Sequence, residues 1–118
     1  MNSAELTQLV IQTLEDNKAR DITELDVTPL TNMIDAMVIC SATSGRHAKA
    51  LADKVLEATR KIDLKPLSVE GEDEGEWVLI DLHDIVVHIM QPETREFYNL
   101  EKLWTATETA RQQAADAD

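Results

Sequence analysis

Three histidines, one cysteine and a run of carboxylates are the residues of this 118-residue chain whose chemistry could go beyond packing. His47 falls at a helix start, His83 in a turn, and His88 on a strand across a hairpin from Asp81 or Leu79. A His–Asp pair without a nucleophile is no triad. Ser41, Ser44 and Ser68 lie in no Gly-x-Ser-x-Gly elbow. The spacing of His and Cys supports no zinc site, and Asp81 and Asp84 flank a bend that holds one metal poorly. His88 therefore reads as a partly buried sheet residue. Neither catalytic residues nor a metal or cofactor site is assigned.

The carboxylates concentrate between Glu70 and Glu76, five in seven residues with Gly71 and Gly75 among them. The glycines make this stretch a loop. Its spacing fits no EF-hand loop for calcium. The simpler reading is an acidic lip (Glu72, Asp73, Glu74, Glu76) facing a basic partner. Ser44-Gly45 follows a strand and opens a helix, the place where phosphate loops occur. A phosphate cradle needs several glycines, however, and only Gly45 is present.

The element that must position this chemistry is a hairpin. Trp77–Leu82 and Ile85–Met90 are apolar, β-branched runs separated only by His83-Asp84, the pattern of a tight antiparallel turn. Pairing across it sets Leu82 opposite Ile85, Ile80 opposite Val87 and Val78 opposite Ile89. Because strand side chains alternate, these six form one wholly apolar face. The other face carries Trp77, Leu79, Asp81, Val86, His88 and Met90. That mixture suits a partner-binding surface and also a second, thinner core layer beneath a helix. The hairpin alone leaves both open.

Around the hairpin, Asn2 caps a first helix with Glu5 as reciprocal partner, and Leu6, Leu9, Val10, Thr13 and Leu14 recur at helical spacing. Ile22–Val27 alternates as a strand with one wet face, broken by Thr28-Pro29. Met37–Cys40 is short, continuous and apolar, the pattern of a central strand buried on both sides. Thr43 or Ser44 caps a second helix that buries Ala48, Leu51, Ala52, Val55, Thr59 and Ile62. With Lys65, its outer face gathers six of the chain's eleven basic residues, read as a solvated face. Pro66–Glu70 is another short strand. Pro92 opens a third helix with Phe97, Leu100 and Trp104 at helical spacing and Tyr98 and Leu103 beside them. Residues 105–118 carry no apolar stripe and read as an acidic, flexible tail after a domain spanning 1–104.

The order is thus α-β-β-α-β-β-β-α, a mixed α/β sheet of five strands with flanking helices. The chain is long enough for one core without disulfides, and the single cysteine, Cys40, reads as a buried thiol. With no secretory pattern and no run near the roughly 20 apolar residues of a membrane helix, a cytoplasmic protein without membrane contact is expected. Net charge is −12. Phosphate backbones repel such a chain, so little direct nucleic-acid contact is expected and a basic protein is the favoured partner.

The residues also carry a specific resemblance. Leu25-Asp26-Val27, Ser44-Gly45-Arg46-His47, Val69-Glu70-Gly71, Trp77, Ile80-Asp81-Leu82, Asp84 to Met90, and Tyr98 to Trp104 together resemble the ribosome silencing factor family, also called Iojap-like. The likeness implies a nucleotidyltransferase-like fold lacking the catalytic acids, and no Asp-x-Asp pair follows Ser44-Gly45. It also implies binding to the large ribosomal subunit through its protein numbered fourteen. That would block small-subunit joining and repress translation under nutrient limitation. A homodimer away from the ribosome is implied too. The family commonly has Gly where this chain has His83, and positive φ costs His more than Gly. On this reading Trp77, Leu79, His88, Met90 and Tyr98 dock on the basic ribosomal protein, with the acidic lip at the rim. Two other classes stay open: a dimerising adaptor for another basic partner, and a nucleotide-binding enzyme of related fold.

Overall fold

The computed structural model describes residues 2–27 and 34–99. Its elements are α1 (Ser3–Asp16), β1 (Arg20–Asp26), β2 (Ala36–Ser41), α2 (Gly45–Lys61), β3 (Ser68–Glu70), β4 (Trp77–Asp81), β5 (Ile85–Met90) and α3 (Pro92–Tyr98). The strands form one sheet in the order β1-β2-β5-β4-β3. β2 and β5 run parallel and every other neighbouring pair is antiparallel. The mixed five-stranded sheet expected from the sequence is therefore present.

The two long helices, α1 and α2, start where their capping residues stand. Asn2 Oδ1 accepts the Glu5 amide N–H at 2.8 Å, and Ser44 Oγ accepts that of His47 at 3.1 Å. Such caps satisfy amides that have no partner inside the helix. α1 and α2 pack on the same sheet face. Leu6, Val10 and Leu14 from α1 meet Leu51, Ala52 and Val55 from α2 over Val38, Cys40, Val78, Ile80, Val87 and Ile89. Every residue of β2 is buried, as its unbroken apolar run requires.

The hairpin register is the one the alternation dictates: Ile80 pairs with Val87, Val78 with Ile89 and Leu79 with His88. At its tip, His83 adopts φ +75°. Asp84 N–H donates to Leu82 O at 3.0 Å, closing a three-residue γ-turn of the strained, positive-φ kind. Asp81 Oδ1 accepts the His83 N–H at 3.0 Å, and His83 Nε2 lies 3.1 Å from Lys65 O.

Two elements are shorter than the sequence suggests. β3 begins at Ser68, two residues after the expected Pro66. α3 ends at Tyr98 because Asn99 turns left-handed at φ 46° and its N–H bonds back to Arg95 O. The helical spacing drawn from Phe97 onward thus breaks at Asn99. Leu100, Leu103, Trp104 and the tail of 105–118 lie outside the described residues, as does the Thr28-Pro29 break. Among the described residues no helix is long and apolar enough to cross a membrane.

Candidate partner-binding face

The second face of the sheet divides between two roles. At the β2 side Val27, Met37, Ile39 and Met90 are buried together, with Leu25, Ile34 and Trp77 packed against them. This is a thin second core. Met90 is 1% exposed and His88 5%. The expectation that these two side chains stand open on a docking patch is thereby corrected. They lie beneath it: Met90 packs into the second core with Val27, Met37 and Ile39, and the Trp77 indole bonds to His88.

Toward β4 the face remains accessible. Trp77 and Leu79 are half-buried, and Tyr98 is 52% exposed. The Tyr98 ring, brought over by α3, lies 4.8 Å from that of Trp77 at a 49° tilt. Phe97 stands beside it, 79% exposed. α3 is held in this position by Arg95. Its guanidinium donates to Asp21 O at 2.7 Å, Ser41 Oγ at 2.8 Å and Thr23 Oγ1 at 3.2 Å, fastening the helix to β1 and β2. No sequence pattern marks this clamp, since its partners are more than fifty residues away.

The acidic loop meets this face through two glycines with positive φ. Gly71 sits at φ +83°, and a Cβ there would lie 1.9 Å from Trp77 O. Gly75 sits at φ +71°, and a Cβ would lie 2.8 Å from Gly45 Cα. Only glycine satisfies both constraints. Gln91 ties the loop down further, its Nε2 donating to Gly75 O at 2.9 Å and its N–H to Glu76 O at 2.9 Å. The result is a hollow of about 360 Å³ lined by Glu70, Gly71, Glu74, Glu76, Trp77, Leu79, Thr94 and Tyr98. Of the expected rim residues, Glu74 and Glu76 reach it. Glu72 and Asp73 belong to the same loop but do not line it. Glu70 and Thr94 join the hollow although the sequence reading did not select them.

The three histidines are held in structural contacts. Trp77 Nε1–H donates to His88 Nδ1 at 2.9 Å, which leaves the ring proton on Nε2. Burial pushes the His88 pKa down to about 4, so the ring is neutral near pH 7. His47 Nδ1 accepts the Thr43 amide N–H at 2.9 Å, and its Nε2 lies 3.0 Å from Asn17 O. A carbonyl can only accept, so this ring bridges the end of α1 to the start of α2. Cys40 is fully buried, and desolvation raises its thiol to about 12 against the opposing charge of Arg95. Such a thiol is a poor nucleophile. On the outer face of α2, Glu57 lies within 3.7 Å of Lys54 and 3.8 Å of Lys61. Among the described residues, no three His, Cys, Asp or Glu side chains are grouped to hold a metal.

Fold and face together define a mixed α/β domain that covers one side of its sheet with two helices and carries an aromatic, acid-walled hollow on the other. The chain belongs to the RsfS family, "Ribosomal silencing factor during starvation", whose family model matches residues 1–118. It is 40% identical over 104 residues to the ribosomal silencing factor RsfS of Chromobacterium violaceum, an overlap of 88% of this chain and 85% of that one. A crystal structure of a protein from the same bacterium superposes with a TM-score of 0.87 at 40% identity, covering 89% of this chain and 88% of the other. A mouse protein, "Mitochondrial assembly of ribosomal large subunit protein 1", is 36% identical over 100 residues, covering 82% of this chain and 44% of its own length.

Proposed function

We propose that this chain docks on the large ribosomal subunit through the ribosomal protein numbered fourteen. There it excludes the small subunit by occupying the surface where the two would meet, and so lowers translation when nutrients are short. The chain acts by binding rather than by catalysis, works in the cytoplasm where ribosomes are, and pairs with a second copy when off the ribosome. The observation carrying the reading is the Trp77–Tyr98 face walled by Glu70, Glu74 and Glu76. Half-exposed aromatic rings ringed by negative charge suit a basic protein surface, and a net charge of −12 discourages contact with ribosomal RNA. The mouse relative's printed role, assembly of the large ribosomal subunit, points to the same half of the ribosome.

The test is co-sedimentation with purified large or small subunits. The wild type pellets with large subunits only. Truncating the exposed anchor in Tyr98→Ala costs about 2 kcal/mol of binding, whereas Asp73→Asn, on the loop but outside the hollow, costs well under about 1 kcal/mol. A wild-type chain that stays in the supernatant with large subunits refutes the proposal.

A further inference from the structure

The Trp77 side chain has one hydrogen-bond donor, its indole N–H, and that donor points inward to His88 Nδ1 at 2.9 Å. What Trp77 offers the hollow is therefore ring surface. Tyr98 adds a second ring 4.8 Å away, tilted by 49°. Every charged residue lining the hollow has the same sign: Glu70, Glu74 and Glu76, with no Lys or Arg among them. Leu79 supplies an apolar wall. The hollow's volume of about 360 Å³ lies at the low end of small-ligand pockets and accommodates a long side chain.

Each of these features selects against one class of occupant. Carboxylates on the walls repel phosphates and acidic peptides. Aromatic faces are negative at their centres and attract cations. A purely apolar side chain would strip water from three carboxylates without compensating them. A planar cation with an aliphatic stem meets all the walls at once. We propose that the hollow is a receptor for a single arginine side chain of the protein partner. Its guanidinium lies against the Trp77 and Tyr98 rings, its N–H fork faces the Glu74 and Glu76 carboxylates, and its methylenes run along Leu79. Arginine is preferred to lysine because its guanidinium stacks, is weakly hydrated and pairs with carboxylates in a fork. This assignment rests on the reading of the face as the dock for a basic ribosomal protein, and it names what that dock recognises.

The experiment titrates the intact protein with three acetylated, amidated tripeptides, Gly-Arg-Gly, Gly-Lys-Gly and Gly-citrulline-Gly, and follows backbone and indole N–H resonances by NMR. Citrulline keeps the shape of arginine and removes its charge. The arginine peptide shifts the Trp77 indole and Gly71 amide signals saturably, and lysine binds more weakly. Citrulline binds roughly tenfold or more weakly than arginine. The double variant Glu74→Gln/Glu76→Gln weakens the arginine response by a similar factor while the remaining amide spectrum is unchanged, and Tyr98→Leu weakens it as well. Equal responses to arginine and citrulline, or an unaltered response in the glutamine variant, overturn the assignment. The ribosomal reading is tested separately. Arginine binding by a protein that does not pellet with large subunits supports the hollow and removes that reading. Pelleting without any arginine response overturns the hollow and leaves that reading standing.

Discussion

Acid should destabilise this protein through one buried imidazole. His88 is 5% exposed, and burial lowers its pKa from 6.5 to about 4. Its Nδ1 lone pair is occupied by the Trp77 indole N–H, a hydrogen bond the imidazolium cannot accept. In the unfolded chain the ring takes up its proton near the ordinary histidine value, and in the native state only near pH 4. Between these values the unfolded state binds more protons, so stability falls as pH falls. The full gap corresponds to about 3 kcal/mol, of which about 2 kcal/mol is already lost at about pH 5. Against a typical total of roughly 5–15 kcal/mol, that is a large fraction. Urea unfolding followed by tryptophan fluorescence, at about pH 7.5 and about pH 5, measures the loss, with His88→Leu as the reference. The variant starts lower by about 1–3 kcal/mol, since the Trp77 N–H loses its acceptor, but its stability changes far less between the two pH values. A wild type that loses no more stability than His88→Leu over that interval refutes the reasoning.

Three further outcomes are expected. His83→Gly relieves the positive φ of +75° at the hairpin tip and stabilises by about 1 kcal/mol, offset in part by the greater freedom of Gly in the unfolded chain; a rise of a few degrees in melting temperature checks it. Gly71→Ala forces a Cβ against Trp77 O and lowers stability by about 2 kcal/mol or more, with the Trp77 indole resonance displaced. Binding to large subunits weakens with added salt, by much less than the roughly 10³–10⁵-fold loss seen for a binder of many phosphates; affinity that is indifferent to salt would rule out the acidic walls as contributors.

Most of the sheet was legible in the sequence because alternation and caps are local signals. Ile80 opposite Val87 and Val78 opposite Ile89 follow from the two-residue break at His83-Asp84 alone. Asn2 and Ser44 cap as their side-chain chemistry demands. What was not legible depends on long-range placement. The mixed face of the hairpin gave no sign that β2 would lie against β5 and draw Met90 into a second core with Met37 and Ile39. The Arg95 clamp to Asp21, Ser41 and Thr23 joins residues with no periodic relation. The hollow follows the same rule. Trp77 and Glu76 are neighbours in sequence, but Thr94 and Tyr98 come to them only because α3 folds back over the strand.

The strand order has a consequence for how the chain is made. β5, the last strand among the described residues, lies between β2 and β4, and its parallel bond to β2 spans α2, β3 and β4. Until Met90 has left the exit tunnel of a translating ribosome, the nascent chain holds two half-sheets with unpaired inner edges, the kind of edge that recruits other chains. Closure is a single late insertion that joins both halves, a slow, non-local event. Any truncation before Ile85 leaves no central strand, so the sheet closes all at once and only when β5 is available.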